Sequence, residues 1–218
     1  MTATTGDQPS RRQRNPRGQG ERLRDDIIEA ASRLLEDPAA PPLSLRSVAR
    51  SVGVAATSVY LHFDDCDALV RAVSVRHFGD LVRIQDEAVA GLADPRARVH
   101  AAALAYCDFG LAHPGHYYVM FSLPVPLAPP GPDGVRERPP GQTALDRLVE
   151  LVAACLGGDP GDSASMVTAV LIWQQLHGVV SLRISKPAFP WPPLAETVTD
   201  VIDRLLEGAR AERQTEAA

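Results

Sequence analysis

The chain has 218 residues, 45% of them hydrophobic, and a net charge of −5. That supplies apolar material for one small domain and one of ordinary size, while the lack of any run of 18 apolar residues argues against a membrane partner. Its three cysteines, Cys66, Cys107 and Cys155, stand far apart with no Cys-x-x-Cys spacing, which excludes a disulfide framework or a zinc knuckle and leaves Cys107 and Cys155 as buried thiols. Met1 to Asp7 lack the charged-then-apolar order of a secretory signal, so the expected location is the cytoplasm.

The charge is unevenly spread. Residues 1–76 hold 11 arginines against 10 acidic residues, whereas residues 77–218 hold 11 basic against 17 acidic ones. Residues 1–18 read as an Arg-rich disordered arm. Arg11, Arg12, Arg14 and Arg17, with Arg22 and Arg24 just beyond, face only Asp7 and Glu21, a run that suits either a solvated tail or contact with phosphates. Leu23, Ile27, Ala30, Ala31 and Leu34 then recur at helical spacing, predicting an amphipathic first helix.

Residues 43–63 predict two short helices broken at one glycine. Ser44 can cap the first, and Leu45, Val48, Ala49 and Val52 form its apolar stripe. Gly53 supplies the left-handed turn, and Val54 plugs the angle between the helices. In the next helix Val59 and Phe63 face inward, whereas Ala55, Ala56, Thr57, Ser58, Tyr60 and His62 offer small or hydrogen-bonding groups outward. Such a surface fits a major groove. Arg46 is placed for a phosphate contact, with Arg50 one turn further on.

Beyond residue 66 every remaining element reads as helix. A long one runs from Asp67 to about Val89, and Asp94-Pro95 opens another that lasts to about Ala112, where His113-Pro114-Gly115 stops it. A short helix is predicted over His116 to Ser122. Residues 123–141 hold too many prolines for regular structure and read as a long loop. Helix resumes from Thr143 to Leu156, then from Ser163 to about Ser185, and finally from Leu194 to about Ala209, with residues 211–218 as a disordered tail. The helix over 163–185 is apolar on most sides and so must be covered on most sides. Few helices remain to do this internally, which predicts a four-helix bundle shared with a second copy through the last two helices.

The residues Ser44, Val48, Ala49, Gly53, Val54, Tyr60, His62 and Phe63 together resemble the TetR/AcrR family of bacterial transcriptional regulators, whose signature pairs a Gly-Val turn with Tyr-x-His-Phe. Trp173, His177 and Gly178 similarly resemble the Trp-x-x-x-His-Gly signature of one C-terminal regulatory domain of that family. Two departures stand out: Cys66 occupies a place where the family usually has a lysine on a phosphate, and Ala55-Ala56-Thr57 leaves few polar side chains for base readout.

The resemblance implies an all-α fold. A helix-turn-helix DNA-binding domain over 19–66 would precede a ligand-binding and dimerisation domain over 67–210. It implies a homodimer on a palindromic double-stranded operator, repressing until a small molecule enters a cavity among the middle helices. DNA-contact candidates are Ser44, Arg46, Ala55, Ala56, Thr57, Ser58, Tyr60 and His62. Ligand-contact candidates are Tyr106, Phe109, His113, Tyr117, Met120, Phe121, Trp173 and His177, the last two being more readily explained as packing. Their character suggests an apolar or aromatic effector, and the His113–Tyr117 segment is the plausible mover.

An enzyme is the competing class. His113 and His116 with Asp108 lack the spacing that sets two imidazoles on one helical face, and no nucleophile elbow, phosphate loop or dinucleotide fingerprint is present, so no metal, cofactor or catalytic residue is expected. A DNA-binding protein without sequence preference is a second alternative, although it would need more positive charge.

Overall fold

A computed structural model describes residues 19–216, apart from 38, 41, 126–129, 131, 132 and 137. The Arg-rich run up to Arg17 and residues 217 and 218 lie outside the described residues. Within them the chain forms helices α1 (Gln19–Glu36), α2 (Leu45–Val52), α3 (Ala56–Tyr60), α4 (Cys66–Val89), α5 (Pro95–Ala112), α6 (Pro114–Phe121), α7 (Gln142–Leu156), α8 (Ser163–Ser185) and α9 (Leu194–Glu216), and no strand.

Short polar side chains begin these helices where the sequence has them. Ser44 and Ser47 close a reciprocal cap on α2: Ser44 Oγ accepts from the Ser47 amide at 3.0 Å, and Ser47 Oγ accepts from the Ser44 amide at 3.1 Å. Asp65, Asp94 and Asp162 cap α4, α5 and α8 through their carboxylates. Gly53 turns the chain at φ 80°, and both its own amide and that of Val54 donate to the Ala49 carbonyl at 3.0 Å.

Two hydrophobic cores result, and two helices serve both. The head core joins Ile27, Ala31, Leu45, Val48, Val59 and Phe63 to Leu69 and Val73 of α4 and to Val119 of α6. The larger core gathers α5, α7, α8 and α9 around Leu81 of α4 and Tyr117 and Met120 of α6. The head's packing therefore extends past residue 66, because α4 and α6 cover the inner faces of α1 to α3.

Two elements differ from the sequence reading. Helix α6 starts two residues earlier than predicted, since Pro114 both ends α5 and opens α6, its fixed φ suiting a first helical position; His113 caps one helix and leads into the next. Helix α9 continues to Glu216, so the predicted tail over 211–218 begins as helix. Side chains pin that extension: Arg213 donates to both Asp162 oxygens at 2.9 and 2.8 Å, and Arg210 donates to the Cys155 carbonyl at 3.0 Å. Midway along α9, Asp203 binds Arg96 and His100 of α5, each at 2.7 Å.

Candidate nucleic-acid interface and ligand cavity

The short α3 stands on the head core by one buried side chain of its own, Val59, with Phe63 buried just after it. Arg24 of α1 lies over the Phe63 ring at 5.1 Å, which holds the end of the turn in place. Outward from this base point Ala55, Thr57 and Tyr60, the last 51% exposed, with Ser58 and His62 half-buried. Arg46 and Arg50 are exposed on α2. Ala56 departs from the predicted outward set by packing against the head core, because a five-residue helix turns its first residue back toward α2. Ser44 is half-buried with its hydroxyl committed to the α2 cap.

Leu61, absent from the sequence-derived set, is 84% exposed between Tyr60 and His62. An exposed leucine at that place offers an apolar contact of the kind a thymine methyl accepts; the signal was its position inside the Tyr-x-His-Phe motif. Cys66 turns its thiol inward to the Leu43 carbonyl at 3.6 Å, so nothing at that position reaches toward a phosphate.

The larger core holds a partly open cavity of about 340 Å³ between α4, α5, α6, α7 and α8, walled by Phe78, Leu81, Ala103, Leu145, Leu148 and Leu176 among others. Four predicted contacts line it: Tyr106, Met120, Phe121 and Trp173. Polar groups at its wall are few, chiefly Gln85, which donates to the Ala102 carbonyl at 3.1 Å, and Gln142. Pro139, Pro140 and Gly141 from the end of the proline-rich segment form the rim. Gly141 sits at φ 87°, and a Cβ there would come within 2.7 Å of the Phe78 ring.

The other four predicted contacts turn elsewhere. Phe109 is buried in the core, and His113 is exposed at the α5–α6 junction. Tyr117 and His177 form a chain beside the cavity, buried at the tyrosines and half-buried at His177: Tyr106 Oη lies 2.9 Å from Tyr117 Oη, which lies 2.6 Å from His177 Nδ1, while His177 Nε2 lies 3.3 Å from Ser181 Oγ. Burial pushes the Tyr106 phenol well up and the Tyr117 phenol up to about 12, and it lowers His177, so the chain is uncharged. With His177 protonated on Nε2, Tyr106 donates to Tyr117, Tyr117 donates to Nδ1, and Nε2 donates to Ser181 Oγ. Both ring nitrogens of His177 are thus engaged, whereas Trp173 alone of the Trp-His pair faces the cavity.

Helix α8 buries Ala169, Ile172, Leu176 and Val180 but leaves Val167, Leu171 and Leu182 at 53%, 41% and 50% exposure. A Cβ on Gly178, on the same uncovered side, would meet no atom within 4 Å. By length and composition α8 is also the one described helix that could cross a membrane, yet only 33% of its apolar window is buried.

Comparison with known proteins agrees with this architecture. Residues 27–73 match the family model described as bacterial regulatory proteins, tetR family, and residues 99–209 match the tetracyclin repressor-like C-terminal domain. An HTH-type transcriptional regulator of Mycobacterium tuberculosis, Rv1816, is 28% identical over 192 residues, covering 75% of this chain and 81% of its own. Among solved structures, a Rhodococcus sp. RHA1 protein of unknown function is 27% identical with a TM-score of 0.67, over 89% of this chain and 98% of its own. A TetR-like transcriptional regulator from the same organism superimposes with a TM-score of 0.59 at 19% identity, over 91% and 99% of the two chains. With both halves of the chain matched, by a DNA-reading head and by a regulatory domain, the protein belongs to the TetR family of transcriptional regulators and is not an enzyme.

Proposed function

We propose that this regulator binds a palindromic operator as a homodimer, represses transcription in the cytoplasm by occupying a promoter, and is released by a small apolar or aromatic molecule. The observation that carries the reading is a shared wall: α4 and α6 complete the head core under α3 and also line the cavity. A ligand that reshapes the cavity therefore acts on the elements that hold the recognition helix. Coupling of this kind needs different affinities in two states, about 1–3 kcal/mol in typical cases.

In the bound state Thr57, Ser58, Tyr60 and Leu61 face base edges and backbone, while Arg46 and Arg50 meet phosphates. With so few polar groups on α3, part of the sequence preference comes from DNA shape. The uncovered face of α8 supports pairing of two copies: Val167, Leu171 and Leu182 need cover, and Gly178 admits a closely approaching helix. A second copy suits that face better than lipid, since the exposed Gln174 and Gln175 interrupt it.

Selection of bound fragments from random duplex pools tests the reading. An inverted repeat is expected, and Tyr60→Ala should abolish its enrichment while leaving the helical signal intact. Enrichment of no sequence, or a Tyr60→Ala protein that selects as the parent does, defeats the assignment of α3. Leu171→Glu combined with Leu182→Glu should shift the sedimenting species to the monomer and remove operator binding; a protein that stays paired refutes the α8 interface.

A further inference from the structure

Where the head meets the regulatory half, two imidazoles and a carboxylate converge. His77 of α4 is buried at 3% exposure, with Nε2 3.0 Å from Ser32 Oγ and 3.9 Å from Glu36 Oε1. His116 of α6 brings its own Nε2 to 3.4 Å from that same oxygen. Ser32 and Glu36, one turn apart on α1, are hydrogen-bonded to each other. The donor atoms of Glu36, His77 and His116 all lie within 4.8 Å of one another.

Neighbouring side chains confine this cluster. The His77 and His116 rings stack at 4.0 Å with 16° between their planes, and His113 stacks on His116 at 5.0 Å. Gly115 gives the carboxylate its place: a Cβ there would lie 2.7 Å from Glu36 Cγ and 2.8 Å from Oε2. Glu36 is thus confined between α1 and the start of α6, with its Oε1 turned toward both histidines.

We propose that Glu36, His77 and His116 form a binding site for a divalent transition-metal ion of the zinc class. Two imidazole nitrogens and one carboxylate oxygen are the donors that borderline cations such as Zn²⁺ and Co²⁺ take, with ligand bonds of about 2.0–2.2 Å. Tetrahedral ligation sets donors about 3.3 Å apart, so His116 and Glu36 already stand at the needed separation, while the His77 ring must turn out of its stack on His116 to aim Nε2 at the same ion, because an imidazole binds in its own plane. Ser32 Oγ remains an outer partner of Glu36, and water completes the shell.

The site differs in kind from the His113, His116 and Asp108 grouping that the sequence offers, for Asp108 is exposed and takes no part. Its three ligands come from α1, α4 and α6, so an ion there ties the first helix of the head to two of the helices that wall the cavity. Metal binding itself does not depend on the operator reading.

Full-length, tag-free, chelator-stripped protein titrated with Zn²⁺ by calorimetry tests the site, with Co²⁺ as the spectroscopic probe. One saturable ion per protomer is expected, with cobalt ligand-field bands and paramagnetically shifted ring protons from two histidines. His116→Asn and Glu36→Gln, both at half-buried positions, should each weaken binding by about tenfold or more, since loss of even an outer-shell partner commonly has that effect. His113→Asn should leave it unchanged. Absence of saturable binding, a cobalt–thiolate charge-transfer band, or binding that survives both ligand variants overturns the site. Should a variant lose its helical signal, the shifted histidine protons of the parent decide the matter alone.

Discussion

The head and the regulatory half solve the packing problem differently. In the head Ile27, Ala30, Ala31, Val48 and Val59 are all at 0% exposure, and small residues are fitted between branched ones. The regulatory half keeps a hollow of about 340 Å³ at its centre and leaves a row of apolar side chains uncovered on α8. One region is filled by its own chain; the other leaves space inside and apolar surface outside. On the reading proposed above, the filled region reads DNA and the hollow one receives the effector.

Substitutions of opposite sense separate the two regions. Ile27→Ala, which opens a hole in a filled core, should lower stability by about 2–5 kcal/mol in chemical denaturation. A loss under about 1 kcal/mol would mean that the head is looser than its burial implies. Enlarging a side chain sharpens the contrast: Ala30→Leu should destabilise by about 1–3 kcal/mol through overpacking. Ala103→Leu, whose new methyl groups enter the cavity, should leave the midpoint equal or higher and abolish the thermal shift given by any cavity ligand. Equal destabilisation by both would erase the distinction.

The smallest effect concerns pH. Burial lowers His177 below its ordinary value of 6.5, so the unfolded chain binds more protons than the folded one as pH falls. Its contribution is complete above pH 6.5 and declines as pH drops from there toward the folded-state value. Denaturation midpoints across that range should fall less steeply for His177→Gln than for the parent. An unchanged slope would show that the Tyr106–Tyr117–His177 chain is more hydrated than its burial indicates.

What the sequence made legible follows from how local each cause is. Ser44, Gly53, Asp94-Pro95 and the Tyr-x-His-Phe run act within a turn or two of themselves, so caps, breaks and the reading head could be placed from residue order. Helix α9 outran its predicted end because Arg210 and Arg213 find their partners at Cys155 and Asp162, more than 50 positions earlier in the chain. Cavity lining was half visible. Aromatic content pointed to α5, α6 and α8, but the rotation of α6, which sends Met120 to the cavity, Tyr117 to His177 and Val119 to the head, depends on packing against α1. Glu36 and His77 carried no such signal, being 41 residues apart on different helices.

Val119 bears on any attempt at modular engineering. It inserts into the head from a helix more than 50 residues past the last DNA-contact candidate and is fully buried there. A hybrid made by joining a foreign reader at residue 66 would inherit a knob cut for another socket, with Glu36 and Gly115 no longer complementary. Transplants of specificity between such proteins should carry the α6 surface along with the reader, or recut both sides of the seam together.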